Sequence, residues 1–340
     1  MEIFLMKKSY FTFGGQESYA LDILGETPLE LMAERLGTEL KEEFPPEECD
    51  GREIVVLFPV YPFITIRALR DFCASRSGSF AFEGGYVLRG SIKRKDIASL
   101  PVIPVGNAFG AGLFRLEDLP SVLVRAARES ARIHLSRGVL IEDGAEVGFR
   151  VEIGAGTHVG RGVRLSGETK IGQNVRLFGN CQIEDSEIGD RTSVNSSVLL
   201  EARVGADCTV GPFAYLRPFS EISDGCRIGD FVEIKNANVG KDCKISHLAY
   251  VGDADLGERV NVGCGAIFVN YDGRRKCRSR VGNDCFIGSN CNVIAPVDVA
   301  DGAYIAAGTT LTRDLECGDF CIGRSRETVK KGRDFLARRD

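Results

Sequence analysis

Of the three histidines in this chain of 340 residues, His247 has the neighbours that point to chemistry. It lies in Ile245-Ser246-His247-Leu248-Ala249-Tyr250-Val251-Gly252-Asp253-Ala254, two residues after one regularly recurring aliphatic residue and four before the next. That placement predicts a ring directed outward from a strand or turn. An imidazole with an ordinary pKa of about 6.5 can take the proton from an amine as its nitrogen attacks a thioester. A carboxylate beside the ring would fix its tautomer. Glu233, in the preceding repeat unit, is the candidate for that role. On position alone, a lone histidine is more often an ordinary surface residue. A zinc centre held by His134, His158 and His247 is a poor alternative, because three ligands must converge and these are far apart in sequence. No metal is expected.

These residues sit in a repeat. One aliphatic residue returns every six positions: Ile153, Val159, Leu165, Ile171, Leu177, Ile183, then after a slip Ile188, Val194, Leu200. The pattern resumes at Val204, Val210, Leu216, Ile222, Ile228, Ile234, at Val239, Ile245, Val251, and at Leu256, Val262. Its last run is Val281, Ile287, Val293, Val299, Ile305, Leu311. A period of six matches neither a helix nor a simple half-buried strand. It predicts a short strand and a turn, with three such units closing one triangular coil and coils stacking at about 4.8 Å. The aliphatic residue points inward. The glycine that often follows it, as in Ile171-Gly172 and Ile188-Gly189, is read as the turn residue that takes a positive φ. Cys181, Cys208, Cys226, Cys243, Cys285 and Cys291 each lie two places before a repeat aliphatic, where a cysteine serves as a small inward hydrophobe.

The repeat breaks between Val262 and Val281, around Val269-Asn270-Tyr271-Asp272-Gly273-Arg274-Arg275-Lys276-Cys277. A regular solenoid has no need of a loop there, and insertions in repeat proteins collect on the binding face.

Composition narrows the function. A net charge of −5 speaks against a nucleic-acid partner. No apolar run is long enough to span a bilayer. Lys7 and Lys8 are not followed by an apolar stretch, so no signal peptide is expected, and a cytoplasmic, reduced setting for the 12 cysteines follows as an expectation.

Several longer segments now stand in one register: Gly211-Pro212-Phe213-Ala214-Tyr215-Leu216-Arg217-Pro218, Gly229-Asp230-Phe231-Val232-Glu233-Ile234-Lys235, the His247 segment, Asn270-Tyr271-Asp272-Gly273, Gly288-Ser289, and Ile305-Ala306-Ala307-Gly308-Thr309-Thr310. In order and spacing, from about residue 140 to 324, they resemble the bacterial bifunctional glucosamine-1-phosphate N-acetyltransferase and N-acetylglucosamine-1-phosphate uridylyltransferase, a member of the hexapeptide-repeat acyltransferase superfamily. The resemblance implies a mainly β fold, a left-handed parallel β-helix, with a small N-terminal α/β domain. It implies acetyl transfer from the cosubstrate acetyl-CoA to the amine of glucosamine 1-phosphate, on the route to UDP-N-acetylglucosamine, by a homotrimer with shared sites. It makes His247 the base and Glu233 its orienter, and gives the sugar phosphate to Arg217, Lys235, Tyr250, Asn261 and Lys276. Asn270, Tyr271, Ser289, Ala307 and Arg324 would line the acetyl-CoA channel, together with Cys264, where the family usually has alanine. A non-catalytic scaffold that binds a sugar nucleotide, or an acetyltransferase for another amino sugar, are the alternative readings.

Residues 1–115 read as a shortened α/β domain, 116–138 as a linker helix, 139–315 as the β-helix and 316–340 as a tail. Thr27-Pro28-Leu29-Glu30 is a capping box, and Leu29, Met32, Leu36 and Leu40 then keep helical spacing. Glu53 to Phe58 predicts a buried strand, and Thr65–Ala74 and Pro120–Arg137 predict helices. This region resembles scattered pieces of the family's uridylyltransferase half. Glu26 replaces the lysine of a Gly-Lys-Pro segment, and Pro59-Val60 replaces the Gly-Asp of a metal-binding segment. Phe13-Gly14-Gly15-Gln16 is a poor remnant of a phosphate loop. Loss of nucleotidyl transfer is the expectation, since a valine offers Mg²⁺ no oxygen. The basic tail with Lys330, Lys331, Arg333, Arg338 and Arg339 reads as a solvated terminus.

Overall fold

The computed structural model describes residues 1–9, 12–13, 16–38, 40–41, 52–89, 94–105, 108–110 and 112–329; Gly14, Gly15 and the basic tail from Lys330 lie outside them. The chain divides into two compact units. One comprises Met1–Arg137 with Ala145–Val151 and Leu165–Gly167; the other comprises Gly138–Gly144, Glu152–Arg164 and the chain from Glu168 onward. No helix among the described residues is long and apolar enough to cross a membrane.

The first unit is built on a five-stranded mixed sheet in the spatial order Glu2–Leu5, Glu53–Leu57, Gly85–Arg89, Phe80–Phe82, Val102–Ile103. Helix α1 (Pro28–Leu36) starts as expected: Thr27 Oγ1 accepts from the Glu30 amide at 3.2 Å, and Glu30 accepts from the Thr27 amide at 2.8 Å. It ends at Leu36, short of Leu40, because Gly37 takes a left-handed φ of 60° and closes the last turn. Helix α2 (Ile66–Ala74) is capped at its start by Thr65. Its C-terminal carbonyls are met by Arg89, whose guanidinium donates to the Cys73, Arg76 and Gly78 carbonyls while pairing with Glu53 at 2.5 Å. One sheet face packs Val55, Leu57, Val87 and Phe82 against Met32, Leu69 and Phe72. Helix α3 (Leu119–Leu135) contributes Val122 and Ala126 to a second cluster with Ile23, Leu31 and Phe63.

The second unit is a parallel β-solenoid with three faces. On the first face, eleven short strands run from Leu140–Ile141 to Phe320–Cys321. Its inward column, Leu177, Val194, Val210, Ile228, Ile245, Val262, Ile287 and Ile305, is in direct register. The second face repeats this with Ile171, Ile188, Val204, Ile222, Val239, Leu256, Val281 and Val299. On the third, Ile183 stacks on Leu199, Leu216, Ile234 and Val251. Every one of these side chains is buried. All six inward cysteines are buried as expected.

The structure revises three details of the repeat. The inward residue of the coil after Val194 is Leu199, fully buried, whereas Leu200 is half-exposed. The hexad continues past Val262 to the buried Phe268, so the excursion proper is later than Val262. Apart from Gly211, at φ 98°, the glycine that follows a repeat aliphatic has an ordinary φ; positive φ falls two residues after Gly172, Gly189, Gly205, Gly240, Gly257 and Gly282, on Asn174, Arg191, Asp207, Asp242, Arg259 and Asp284. The glycine is demanded by close approach of the next coil instead. A Cβ on Gly189 would stand 2.5 Å from the Gly205 carbonyl carbon and 2.6 Å from the Ala206 nitrogen. Left-handed backbone at the non-glycine corners is held by amide bonds to the coil before, such as Asp207 N to Asp190 O at 2.9 Å, and twice by paired Arg and Asp side chains, Arg191 with Asp207 and Arg259 with Asp284.

This distinction is testable. Gly189→Ala is expected to destabilise the solenoid by about 1–3 kcal/mol through overpacking, read as a lower urea midpoint. Asn174→Gly, which relaxes a left-handed φ, should shift the midpoint by much less.

Candidate active site

The chemistry expected of His247 begins with a rung. Ile228 and Ile245 face each other across successive coils, and two residues further along the same strands Asp230 faces His247. The imidazole Nδ1 lies 2.5 Å from the Asp230 carboxylate. The hydrogen bond to His247 is the main reason the Asp230 carboxyl is held below the usual range. An ionised carboxylate only accepts, so Nδ1 carries the proton and Nε2 keeps its lone pair. The ring stands on the surface, 54% exposed, with Nε2 able to meet an incoming nucleophile.

The structure therefore corrects the expected partner. Glu233 does not orient His247; it faces Tyr250 in the ladder and accepts from Arg217 Nη1 at 2.8 Å. That bond is the main cause of a raised Arg217 pKa. The signal that finds Asp230 is spacing. It lies as far before His247 as Ile228 lies before Ile245, whereas Glu233 is three residues out of step.

Around the corner from His247, on the third face, Arg217 and Lys235 follow the stacked Leu216 and Ile234. The next rung has Gly252 opposite Lys235. The absence of a side chain there makes room for the Tyr250 ring, whose Oη would be 2.3 Å from a Cβ at Gly252. Lys276 reaches the same patch from the excursion. Its contact with Lys235 is the largest reason that the Lys235 ammonium loses its proton more readily than a free lysine, with burial next and Arg217 adding to the effect. Behind them Asp253 is buried, accepting from Asn236 Nδ2 at 2.5 Å and from Asn270 Nδ2. Asn270 also lies 3.4 Å from Tyr250 Oη. Arg217, Lys235, Lys276, Tyr250 and Asn270 thus form one patch dominated by cations.

A second line of expected residues runs along the His247 edge. Val262, Ile287 and Ile305 continue the column of Ile245, so Cys264, Ser289 and Ala307 occupy the rung position of His247 in the following coils. The Asn290 amide bonds the Cys264 carbonyl and the Gly308 amide bonds the Ser289 carbonyl, both at 2.8 Å. Arg324 closes the line by donating to the Ala307 carbonyl at 2.6 Å. These four residues are exposed. Such an edge of backbone carbonyls and amides, ending in a guanidinium, suits an extended polar ligand with an anionic end.

One expected residue stands apart from this patch within one chain. Asn261 is on the first face, in register with Lys244 and Phe286, while the cations are on the third. Tyr271, exposed on the excursion, bridges Lys276 through its backbone. His158 is occupied with Glu142 at 2.8 Å, five rungs away from the coil of His247 on the same face, so these two rings do not share a metal in one chain.

Within the solenoid, residues 278–313 match the family described as bacterial transferase hexapeptide (six repeats). Over 153 residues the chain is 53% identical to the bifunctional protein GlmU of Clostridium acetobutylicum, covering 45% of this chain and 34% of that protein. It is 50% identical over 153 residues to the same-named protein of Clostridioides difficile, covering 45% of this chain and 33% of that one. The resemblance seen in the motifs is thus matched by similarity to bacterial proteins named GlmU over 45% of this chain, and the parallel β-solenoid agrees with the mainly β fold class that it implied. The chain spans about a third of the length of the curated relatives it matches. Among solved structures, the UDP-N-acetylglucosamine acyltransferase from Campylobacter jejuni is 22% identical, covering 55% of this chain and 70% of that one at a TM-score of 0.22, too distant to bear on the chemistry.

The Asp230 assignment can be read directly by ¹⁵N NMR of the imidazoles. His247 is expected as the Nδ1–H tautomer. Asp230→Ala should populate the Nε2–H form, and Glu233→Gln should leave the tautomer unchanged.

Proposed function

We propose that this protein transfers the acetyl group of acetyl-CoA to the amine of glucosamine 1-phosphate. The observation that carries the reading is the placement of the Asp230–His247 pair one corner away from the patch of Arg217, Lys235 and Lys276. A base beside an anion site fits an acceptor that carries both an amine and a phosphate. The relatives named bifunctional protein GlmU, about half identical over the matched 45% of this chain, support the reading.

In this reading Arg217, Lys235 and Lys276 hold the phosphate, Tyr250 packs beside the sugar, and the acceptor amine faces His247 Nε2. The amine nitrogen attacks the thioester carbonyl carbon while Nε2 removes its proton. The tetrahedral intermediate collapses with the CoA thiolate leaving, and the imidazolium returns the proton to that sulfur. Asp230 stabilises the transient imidazolium. Cys264, Ser289, Ala307 and Arg324 offer the edge along which acetyl-CoA would lie, with the excursion residues Asn270 and Tyr271 on its sugar side. No metal is required by this sequence of steps. The position of Asn261 on another face favours a site completed by a neighbouring subunit, and hence a homotrimer working in the cytoplasm.

The same reading treats uridylyl transfer as lost. Val60 is buried and its backbone is engaged with Phe58 and Leu113, while Glu26 holds Arg150 at 2.7 Å. Neither position offers a nucleotide phosphate or a divalent cation what the family's lysine and aspartate would.

The test is CoA release from acetyl-CoA with glucosamine 1-phosphate by the purified protein. Turnover is expected for the wild type, with a fall of about 10²–10⁴-fold in His247→Ala. UTP with N-acetylglucosamine 1-phosphate should give no UDP-N-acetylglucosamine. A folded wild-type protein that releases no CoA would favour the scaffold reading or another amino-sugar acceptor.

A further inference from the structure

The excursion that carries Lys276 has a mechanical problem. Phe268 to Val281 covers 13 positions where six is the norm, and just beyond its turn the exposed Lys276 lies against Lys235. Two ammonium groups at contact repel, the nearby Asp253 carboxylate offsets this for Lys235 only in part, and an untied loop would swing Lys276 into solvent. Something must hold it.

The first foot of the loop is tied by Asn270, through buried Asp253 and the Tyr250 hydroxyl. The two strands of the loop meet where the Cys277 amide bonds the Asn270 carbonyl at 2.8 Å, and Asp272 closes the turn by accepting from the Arg274 and Arg275 amides. The second foot is Arg278. Its Nε and Nη2 grip the Asp255 carboxylate at 2.7 and 2.5 Å. Its Nη1 donates to the Asn236 carbonyl at 2.7 Å, and Nη2 also reaches the Ala254 carbonyl at 3.1 Å. Asp255 is steadied by Asn238 Nδ2 at 2.6 Å. Arg278 therefore ties the loop to two coils at once, and the very next residue, Ser279, is buried in the second face. The planar fork grips both carboxylate oxygens side by side and still reaches two carbonyls; an ammonium, with three donors on one atom, cannot make all four bonds.

We propose that Arg278 is a positioning residue for phosphate recognition: anchored on Asp255, Asn236 and Ala254, it holds Lys276 beside Lys235 so that the two cations stand ready for a dianionic phosphate. The proposal rests on the functional reading above for the identity of the ligand, but the geometry it invokes does not depend on any turnover. The phosphate relieves a repulsion already present, so the folded chain bears the cost of bringing the cations together before the ligand arrives.

The experiment has two arms on the full-length protein. In the first, lysine side chains carrying ¹³C at Cε are titrated by NMR without substrate. Lys235 should titrate below a free lysine in the wild type and move back up in Arg278→Met and in Lys276→Met alike. Unchanged Lys235 titration in a folded Arg278→Met protein would overturn the proposal, whether or not the enzyme turns over. In the second arm, the KM for glucosamine 1-phosphate should rise about tenfold in Arg278→Met, with kcat and the KM for acetyl-CoA little changed. Arg278→Lys should recover only part of the loss. In the Lys276→Met background, Arg278→Met should add almost nothing, because both changes remove the same contact. Additive losses, or equal rises in both KM values, would show a general structural role instead. If the wild type does not turn over, inorganic phosphate serves as the probe: binding abolished by either variant supports the clamp while the acceptor reading fails.

Discussion

The stacking of one coil's backbone on the next is the constraint from which the other features of the solenoid follow. Parallel amide ladders fix the spacing along the axis, and the inward aliphatic columns fix the phase. At the corners where glycine follows the aliphatic residue, as at Gly172, Gly189 and Gly205, the next coil comes so near that no Cβ fits, and glycine recurs there for lack of space. A rung that is locked in this way also locks what it carries outside. Asp230 meets His247 because the isoleucines beneath them are in register, and not because the two residues have any special affinity.

The same register explains why the cations gather. Arg217 and Lys235 follow stacked aliphatics on one face, and the rung after them lacks a side chain, so a tyrosine ring settles into the gap. A regular solenoid would continue with another short turn. The excursion after Phe268 instead returns to the patch with a third cation, held by ties at both feet. Rigid rungs thus supply two of the charges, and a pinned loop supplies the third. Such an arrangement gathers like charge in a folded chain without burying it, which keeps the desolvation cost small while leaving the field directed outward.

The N-terminal unit follows different rules. Its sheet is mixed and its helices are capped by Thr27, Thr65 and Arg89 rather than by any repeat. Its polar groups are largely spent on such caps and on pairs like Glu26 with Arg150 and Glu53 with Arg89. These are the interactions of a unit organised around its own core.

The sequence by itself determined the period, the inward columns, the cysteine slots, the capped helices and the set of motifs that led to His247 and its cationic companions, because each is a local pattern that survives in one dimension. It did not determine which acid meets the histidine. Glu233 and Asp230 are both one coil away, and the choice is made by rung register, which sets Asp230 opposite His247 on the first face and leaves Glu233 on the third, between Tyr215 and Tyr250 and within reach of Arg217. Nor could it tell Leu199 from Leu200, since a coil shortened by one residue resets the phase only when it is laid on its neighbours. Arg278 was invisible for the same reason: its partners Asn236 and Asp255 lie in two other coils, and only stacking brings a carboxylate and two carbonyls within reach of one guanidinium.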